Sequence, residues 1–250
     1  MSLHFPADPW FLLPLIFSVA FLYSSVGHGG ASGYLAVMSL FAFNPQTMST
    51  TALILNIVVS AVSFFSYKNA GHFNGSLLYP FLILSVPMSW LGGRIRLPVS
   101  SYALLLASVL LFAAFRLNVN VGPDIRSEKH NSLNFSLALL VGGSIGFVSG
   151  VVGIGGGIFL SSFLLLVGWA TTKESSALAA PFILINSIAG LLPRLANQEP
   201  VWSTTRLYSV SAFAGGLLGS HLGANRFTVI ALRRILGLVL ILASVKLIFH

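Results

Sequence analysis

The chain has 250 residues, of which 56% are hydrophobic and 7% are charged, and its formal net charge is +8. So few charged side chains cannot cover the surface of a water-soluble domain, which excludes a soluble globular protein. The sequence has no cysteine, which excludes disulfides, thiolate metal sites and thiol catalysis.

The basic residues are scattered among short loops and form no long run, which argues against nucleic acid as a partner. An excess of Lys and Arg on cytoplasmic loops and beside anionic lipid headgroups is typical of membrane proteins. Residues 9–67 and 130–172 contain no Asp, Glu, Lys or Arg. Each stretch is long enough for more than one membrane span of about 20 residues. Membrane lipid is therefore the expected surrounding of most of the chain.

Breaks at Gly, Pro and charged clusters predict ten helical segments in chain order. The second and seventh are too short to cross a hydrocarbon core of about 30 Å, so we expect half-helices there. The segments run roughly over residues 10–26, 30–43, 47–67, 76–93, 99–116, 133–152, 155–169, 174–193, 203–222 and 228–249.

A glycine cluster precedes each short segment, and the cluster recurs with its surroundings. Gly27 and Gly153 are 126 residues apart, Ser49–Leu53 matches Glu174–Leu178 at 125, and Leu91-Gly92 matches Leu218-Gly219 at 127. The sequence therefore predicts a first membrane repeat over 1–121, a cytoplasmic linker over 122–131 and a second membrane repeat over 132–250.

The predicted fold is an all-α integral membrane protein with two five-segment repeats of inverted topology, each with a glycine-broken short-helix hairpin. An odd number of crossings per repeat inverts the second one, as in many secondary transporters. If each hairpin were one broken span, the repeats would be parallel. Alternate loops carry eight and five basic residues, which favours the linker in the cytoplasm and both termini outside.

The duplicated Gly-x-Gly-Gly hairpin, here Gly27-His28-Gly29-Gly30 and Gly153-Ile154-Gly155-Gly156, resembles that of the TauE/SafE sulfite exporter family. In both halves a hydroxyl-rich helix start and a later Leu-Gly follow it, so the resemblance extends over roughly residues 12–249. It implies export of sulfite, organosulfonates or related sulfur-containing anions across a bacterial cytoplasmic (inner) membrane. It leaves the cargo of an individual member open.

The glycine clusters also predict an anion site on physical grounds. Glycine allows a positive φ and close approach of a ligand, and the helix that follows offers unpaired N–H groups and a partial positive charge of about half a unit. Close helix packing through small residues is the alternative. The candidate glycines for substrate binding are Gly27, Gly29, Gly30, Gly153, Gly155, Gly156 and Gly157.

Polar side chains near the clusters are further substrate-binding candidates. Hydroxyl groups at the starts of the third and eighth segments could cap those helices or bind the anion. Asn56 and Asn186 lie deeper, where each amide must bond another helix or the substrate. The hydroxyl candidates are Ser49, Thr50, Ser175 and Ser176.

Three basic or titratable residues complete the candidate site. Arg94 could attract an anion or reach the lipid headgroups, and His221 occupies the matching place in the second half. His28 lies inside the first glycine turn and could couple transport to protons or only stabilise the turn.

All five carboxylates fall at predicted helix ends or in loops, which argues against an intramembrane proton relay, a hydrolase and a metal site. We therefore predict a transporter without enzymatic activity or cofactor. Its expected mechanism is alternating access, with the anion held between the two hairpins, and an anion or small-solute channel that uses the same half-helices as a filter is the alternative. The sequence leaves the oligomeric state open, a homodimer included.

Overall fold

The computed structural model describes residues 9–118, 133–196, 202–225 and 230–249. Within these ranges the chain is all-helical, and the ten helices correspond one by one to the ten predicted segments. They are α1 (Pro9–Ser24), α2 (Ala31–Leu40), α3 (Pro45–Asn69), α4 (Gly75–Arg94), α5 (Val99–Asn118), α6 (Phe135–Val152), α7 (Gly157–Leu166), α8 (Thr172–Leu195), α9 (Trp202–Asn225) and α10 (Ile230–Phe249).

Five helices in the described part of the chain are long and apolar enough to cross a membrane: α3, α4, α5, α6 and α8. Helices α2 and α7 have 10 residues each. At 1.5 Å per residue each extends about 15 Å, half the thickness of the hydrocarbon core. The prediction of two half-helices is therefore confirmed, and the protein is a multi-pass membrane protein.

Glycines in the left-handed region of φ make the turns before the two short helices. Helix α2 begins directly after Gly30, whose φ is 97°. Helix α6 ends at Gly153, with a φ of 91°, and α7 begins after Gly156, with a φ of 80°. Residues other than glycine rarely adopt these φ values, so the glycine clusters fix where each half-helix starts.

The two halves of the chain are interleaved and do not form separate bundles. Helix α1 packs on α9, α6 packs on α4, and α5 packs on α10. The two long helices α3 and α8 pack against each other in the middle, and each also contacts the fourth helix of the other half, α9 and α4 respectively. The first helix of each half therefore lies against the fourth helix of the opposite half.

Glycines spaced four residues apart bring two of these helix pairs into backbone contact. A methyl group added to Gly146 of α6 would overlap the carbonyl of Ser85 in α4, and one added to Gly219 of α9 would overlap the carbonyl of Phe21 in α1. Such small-residue stripes allow close packing between apolar helices in lipid. The full sets are Gly142, Gly146 and Gly150 on α6, and Gly215, Gly219 and Gly223 on α9.

The predicted linker over 122–131 lies outside the described residues, so the boundaries between repeats at 121 and 132 stay predictions. Several cations that set the predicted orientation also fall there or have undescribed side chains, namely Arg126, Lys129, Arg226, Arg233 and Arg234.

Candidate functional site

The two glycine turns, 126 residues apart in the sequence, line one pocket. Residues 28–32 contribute from the first turn and the start of α2, and Ile154 with residues 156–158 from the second turn and the start of α7. Helices α5 and α8 close its sides, and its empty volume, including the open mouth, is about 320 Å³. The structure thus brings together five of the predicted site residues: His28, Gly29, Gly30, Gly156 and Gly157.

The pocket lies near the middle of the long helices α3 and α8. Asn56 is the twelfth of 25 residues in α3, and Ile183 is the twelfth of 24 in α8. Both side chains contact the glycine turns: groups added at Gly29 would overlap Asn56, and groups added at Gly157 would overlap Ile183. The turns are therefore held against the midpoints of α3 and α8.

The N-terminus of α7 points unpaired N–H groups toward this pocket region. Leu160 is the first residue of α7 whose N–H closes a helical turn, onto the carbonyl of Gly156. The N–H groups of residues 157–159 have no acceptor within the described part of the chain, and these residues line the pocket. Such a helix start favours an anion, because its free N–H groups and the helix dipole act together.

Asn56 joins the two turns through its amide group. Its Oδ1 accepts a hydrogen bond from the N–H of Ala31, at 3.0 Å, at the start of α2. Its Nδ2 donates to the carbonyl of Ile154 in the second turn, at 3.1 Å, and lies 3.4 Å from Ser187 Oγ. The side chain is fully buried, so this amide has its partners inside the protein.

His28 also connects the halves. Its Nδ1 donates to the carbonyl of Val26 at 2.9 Å, and its Nε2 is hydrogen-bonded to Ser161 Oγ of α7 at 3.1 Å. The ring is only half-buried and lines the pocket. His28 therefore links the first glycine turn to helix α7 of the second half.

The outer glycines of the two clusters make reciprocal contacts. A methyl group added at Gly27 would lie 2.7 Å from the carbonyl oxygen of Ser176 in α8, and one added at Gly153 would lie 2.9 Å from that of Ser49 in α3. Each turn is therefore packed on the start of the long helix of the other half. Gly155 lies beside Asn56 and does not line the pocket.

The hydroxyl candidates lie outside the pocket, and the capping role considered for them is wrong. Helix α3 begins at Pro45 and is capped by Asn44, and α8 begins at Thr172 and is capped by Thr171 with Glu174. Both helices start two residues earlier than predicted. Asn44 caps α3 directly before Pro45, and Thr171 caps α8 directly before the run Thr172-Lys173-Glu174. The four residues Ser49, Thr50, Ser175 and Ser176 are buried in the first two turns of α3 and α8.

Asn186 is fully buried, and its side-chain amide bonds within its own helix, not across to the glycine turns. Its Nδ2 donates to the carbonyl of Phe182 in its own helix, and its Oδ1 has no partner in the described part of the chain. Its backbone carbonyl accepts a hydrogen bond from Ser89 of α4. Counted from the helix starts, Ile183 takes the place of Asn56 in the second half, since each is the twelfth residue of its helix. The two asparagines are therefore not equivalent.

Arg94 and His221 lie apart from the glycine pocket. Arg94 is exposed at the end of α4, with its Cζ 4.8 Å from the centroid of the Trp90 ring. It lines a second pocket together with Arg96 and Arg194. His221 is exposed on α9 and lines neither pocket.

The sequence analysis missed several residues of the site, among them Ile183, which lines the pocket, and Ser161, which bonds the pocket residue His28. The repeat does not point to Ile183, because the 125-residue spacing of the neighbouring Ser49–Leu53 match pairs Asn56 with Pro181. Ser161 has no signal in the sequence either, because a serine in an apolar helix does not show which neighbour it faces.

Comparison with known proteins agrees with the resemblance in the glycine turns. A family model described as Sulfite exporter TauE/SafE matches residues 12–247. The chain is 34% identical to "Probable membrane transporter protein y4hK" of Sinorhizobium fredii (strain NBRC 101917 / NGR234) over 237 residues, 93% of this chain and 95% of that protein.

A shorter match, 31% identical over 109 residues, covers 43% of this chain and 39% of "Probable membrane transporter protein YfcA" of Escherichia coli (strain K12). No solved structure matches the chain. The family match extends over almost the whole length and includes both glycine turns. The chain therefore belongs to the TauE/SafE sulfite exporter family of membrane transporters.

Proposed function

We propose that the protein is a secondary transporter that exports sulfite, an organosulfonate or a related small anion across the bacterial cytoplasmic membrane by alternating access. The observation that carries this proposal is the meeting of two helix N-termini, those of α2 and α7, in one pocket near the middle of the bundle. The anion is held there between the glycine turns. The family match and the name of the Sinorhizobium fredii relative support transport as the activity.

The chemistry of the pocket supports an anionic cargo. The residues that line it include no Asp, Glu, Lys or Arg, so no carboxylate in its lining opposes an anion and no fixed cation there holds it too tightly for release. Backbone N–H groups at helix starts bind oxyanions without a full opposite charge. His28 adds a charge that depends on pH.

The direction of the long helices supports inverted repeats. Ser49, near the start of α3, accepts a hydrogen bond from Nη1 of Arg194, near the end of α8, at 2.7 Å. Helices α3 and α8 are therefore antiparallel, as the third helices of two inverted repeats must be, whereas parallel repeats would make them parallel. The reciprocal contacts of Gly27 and Gly153 support the same symmetry.

Two separate apolar clusters support alternating access. One cluster is built from residues of α4, α6, α7 and α8 with the loop that precedes α8. The other is built mainly from α1, α2, α3, α5, α9 and α10. They adjoin where α3 packs on α8. The pocket-lining residues that belong to a cluster, such as Tyr23, Val109 and Ile154, belong to the second one, and Ile183 of α8 belongs to neither. We infer that these two bodies rock against each other and expose the anion to one side at a time.

Glycine substitutions test this site poorly. Gly30, Gly155 and Gly156 have φ values of 97°, 72° and 80°, and a methyl group at Gly29 or Gly157 would overlap a neighbouring side chain. An alanine would therefore destabilise the turn whether or not the turn binds an anion.

A charge placed in the pocket tests it better. Ile158 is the second residue of α7, is partly exposed and lines the pocket. Ile158→Asp puts a carboxylate at the helix start, where it competes with the anion but suits the helix dipole. Ile158→Asn has the same shape without the charge, so it is the matched control.

The experiment is binding and flux of radiolabelled sulfite at pH 8, with purified protein and with proteoliposomes. We expect the Asp variant to bind sulfite at least about tenfold more weakly than the Asn variant, about 1.4 kcal/mol, with equal melting temperatures. We also expect saturable flux with counterflow. Equal affinities in the two variants would show that the anion does not bind in this pocket. Linear flux without counterflow would show that the protein is a channel and not a carrier.

A further inference from the structure

Three arginines line a second pocket, at the end of the bundle where α4 and α8 terminate. They are Arg94 and Arg96, both exposed, and the partly buried Arg194. The empty volume of this pocket, including its open mouth, is about 470 Å³, and the pocket shares no lining residue with the one between the glycine turns. Ser49 also lines this second pocket and precedes Asn56 by seven residues on α3. About 10 Å of helix therefore separates the second pocket from the glycine turns that Asn56 contacts.

Arg194 forms the fixed wall of this pocket. Its Nη1 donates to Ser49 Oγ at 2.7 Å, and its Nη2 donates to the carbonyls of Gly150 and Val151 at 2.6 and 2.9 Å. All of these acceptors are neutral. Its Nε is buried and has no acceptor in the described part of the chain. The guanidinium group is therefore held in place by partners that do not balance its charge.

The residues that line this pocket include no carboxylate, and none of the acceptors that bind the partly buried guanidinium of Arg194 carries a charge. Within the described ranges the acidic residue is Glu174, which belongs to the capping box at the opposite end of α8. Twenty residues of helix, about 30 Å, separate it from Arg194. Stacking on Trp90 keeps Arg94 at the pocket. Like charges in one partly desolvated pocket repel each other, and an anion with several oxygens removes this repulsion.

We propose that Arg94, Arg96 and Arg194 form a second binding site, for the oxygens of a small oxyanion, separate from the site between the glycine turns. Guanidinium groups suit such a ligand because their N–H donors match the geometry of sulfur and phosphorus oxyanions. Two sources share this chemistry: a soluble anion such as sulfite, which would be bound here as it enters or leaves the pathway, and the phosphate of an anionic lipid headgroup.

The matching end of the bundle in the other half lacks this group of three arginines. At the 127-residue spacing, Tyr67 takes the place of Arg194, and its Oη donates to the carbonyl of Ser25 at 3.0 Å just as Arg194 donates to Val151. His221 and Gly223 take the places of Arg94 and Arg96. Both halves therefore keep a hydrogen bond from this side chain to a backbone carbonyl, but the three arginines occur at one end only. The arginines are therefore not needed for that hydrogen bond.

The test uses the full-length protein purified in detergent and freed of lipid, with radiolabelled sulfite as the probe. The Ile158→Asp change weakens binding between the glycine turns, so sulfite is used at concentrations below the dissociation constant of the weakened site, where the remaining binding reports the second site. On this background we introduce Arg94→Gln and Arg96→Gln, which change exposed side chains and leave Arg194 in place. Lys68→Gln is the control, because Lys68 is an exposed cation that also lies over an aromatic ring, that of Phe64, at the other end of α3.

We expect each arginine change to weaken the remaining binding at least about tenfold, with the control unchanged. In a parallel arm, phosphatidylglycerol is added as competitor. If this lipid displaces sulfite, and the arginine variants no longer show the displacement, the site is assigned to the headgroup phosphate. Binding of sulfite and lipid that does not respond to Arg94 or Arg96 would overturn the proposal, and so would the absence of any remaining binding.

The two proposals fail separately. If Ile158→Asp and Ile158→Asn bind sulfite equally, the glycine site is wrong, and the arginine variants are then compared directly with the unchanged protein. If only the arginine variants are without effect, the second site is wrong and the transport proposal stands.

Discussion

The side-chain amide of Asn56 in α3 donates a hydrogen bond to the carbonyl of Ile154, 98 residues away, at 3.1 Å. The same amide accepts a hydrogen bond from the N–H of Ala31. One buried side chain thus pairs backbone groups from both glycine turns. Backbone that is not helical at membrane depth needs such partners, because lipid provides none.

Replacement of Asn56 by Ala should destabilise the protein more than the same change at Asn186. The first change leaves the N–H of Ala31 and the carbonyl of Ile154 unpaired, at about 1–3 kcal/mol for each buried group. Asn186 is equally buried and bonds only within its own helix through its amide nitrogen, so it is the matched control for the lost volume. Thermal unfolding followed by tryptophan fluorescence measures the difference. Equal losses of melting temperature would mean that the bridge adds no stability.

Anion affinity should rise as the pH falls from about 8 to 5, and His28 should be the cause. Protonation puts a positive charge at the rim of the pocket, which stabilises a bound anion by an amount of the order of 1 kcal/mol, or about fivefold in affinity. The effect is present at low pH and is lost as the pH rises. Binding is measured with an organosulfonate, because the charge of this probe is constant over the range.

His28→Asn should give a flat affinity profile in this experiment, and His72→Asn should keep the slope, because His72 lies in the turn between α3 and α4 outside the pocket. A profile that keeps its slope in the His28 variant would limit this histidine to its hydrogen bonds with Val26 and Ser161.

Close packing of α6 on α4 predicts a large effect of a single methyl group. Gly146→Ala would place its methyl carbon on the carbonyl of Ser85, and overpacking of this kind costs about 1–3 kcal/mol. Gly75→Ala is the control, because a methyl group there would make only an ordinary contact with Phe73. A lower melting temperature for Gly146→Ala alone is the expected result, and unchanged melting of both variants would show that the two helices can separate without loss.

Inverted repeats predict opposite membrane sides for the starts of α4 and α9. Because the chain has no cysteine, single cysteines can be introduced without background labelling. Ser76→Cys and Thr204→Cys both lie in the first turns of these helices. We expect a membrane-impermeant thiol reagent to label Thr204→Cys in intact cells and Ser76→Cys only after the cells are opened. Labelling of both positions from one side would establish parallel repeats.

The sequence by itself determined the class of the protein, its ten helices, the two half-helices and the family. These features depend on local properties: unbroken apolar runs, the conformational freedom of glycine at positions such as Gly30 and Gly156, and a spacing that repeats over half the chain. The apolar runs and the glycine turns depend on a few neighbouring residues, and the repeat is found by comparing the two halves of the linear sequence. None of the three requires knowledge of what packs against the segment.

Only the tertiary structure decided which polar groups meet. It paired Asn56 with both turns, placed Ser161 against His28, left Asn186 inside its own helix network, and gathered Arg94, Arg96 and Arg194 around a second pocket. In an apolar span every face of the helix is hydrophobic, so periodicity does not show which side faces a neighbour. The direction of each side chain is fixed by the packing of α3 on α8 and of each first helix on the fourth helix of the other half. That packing joins residues that are far apart in the chain, such as Asn56 with Ile154 and Gly215 with Phe17.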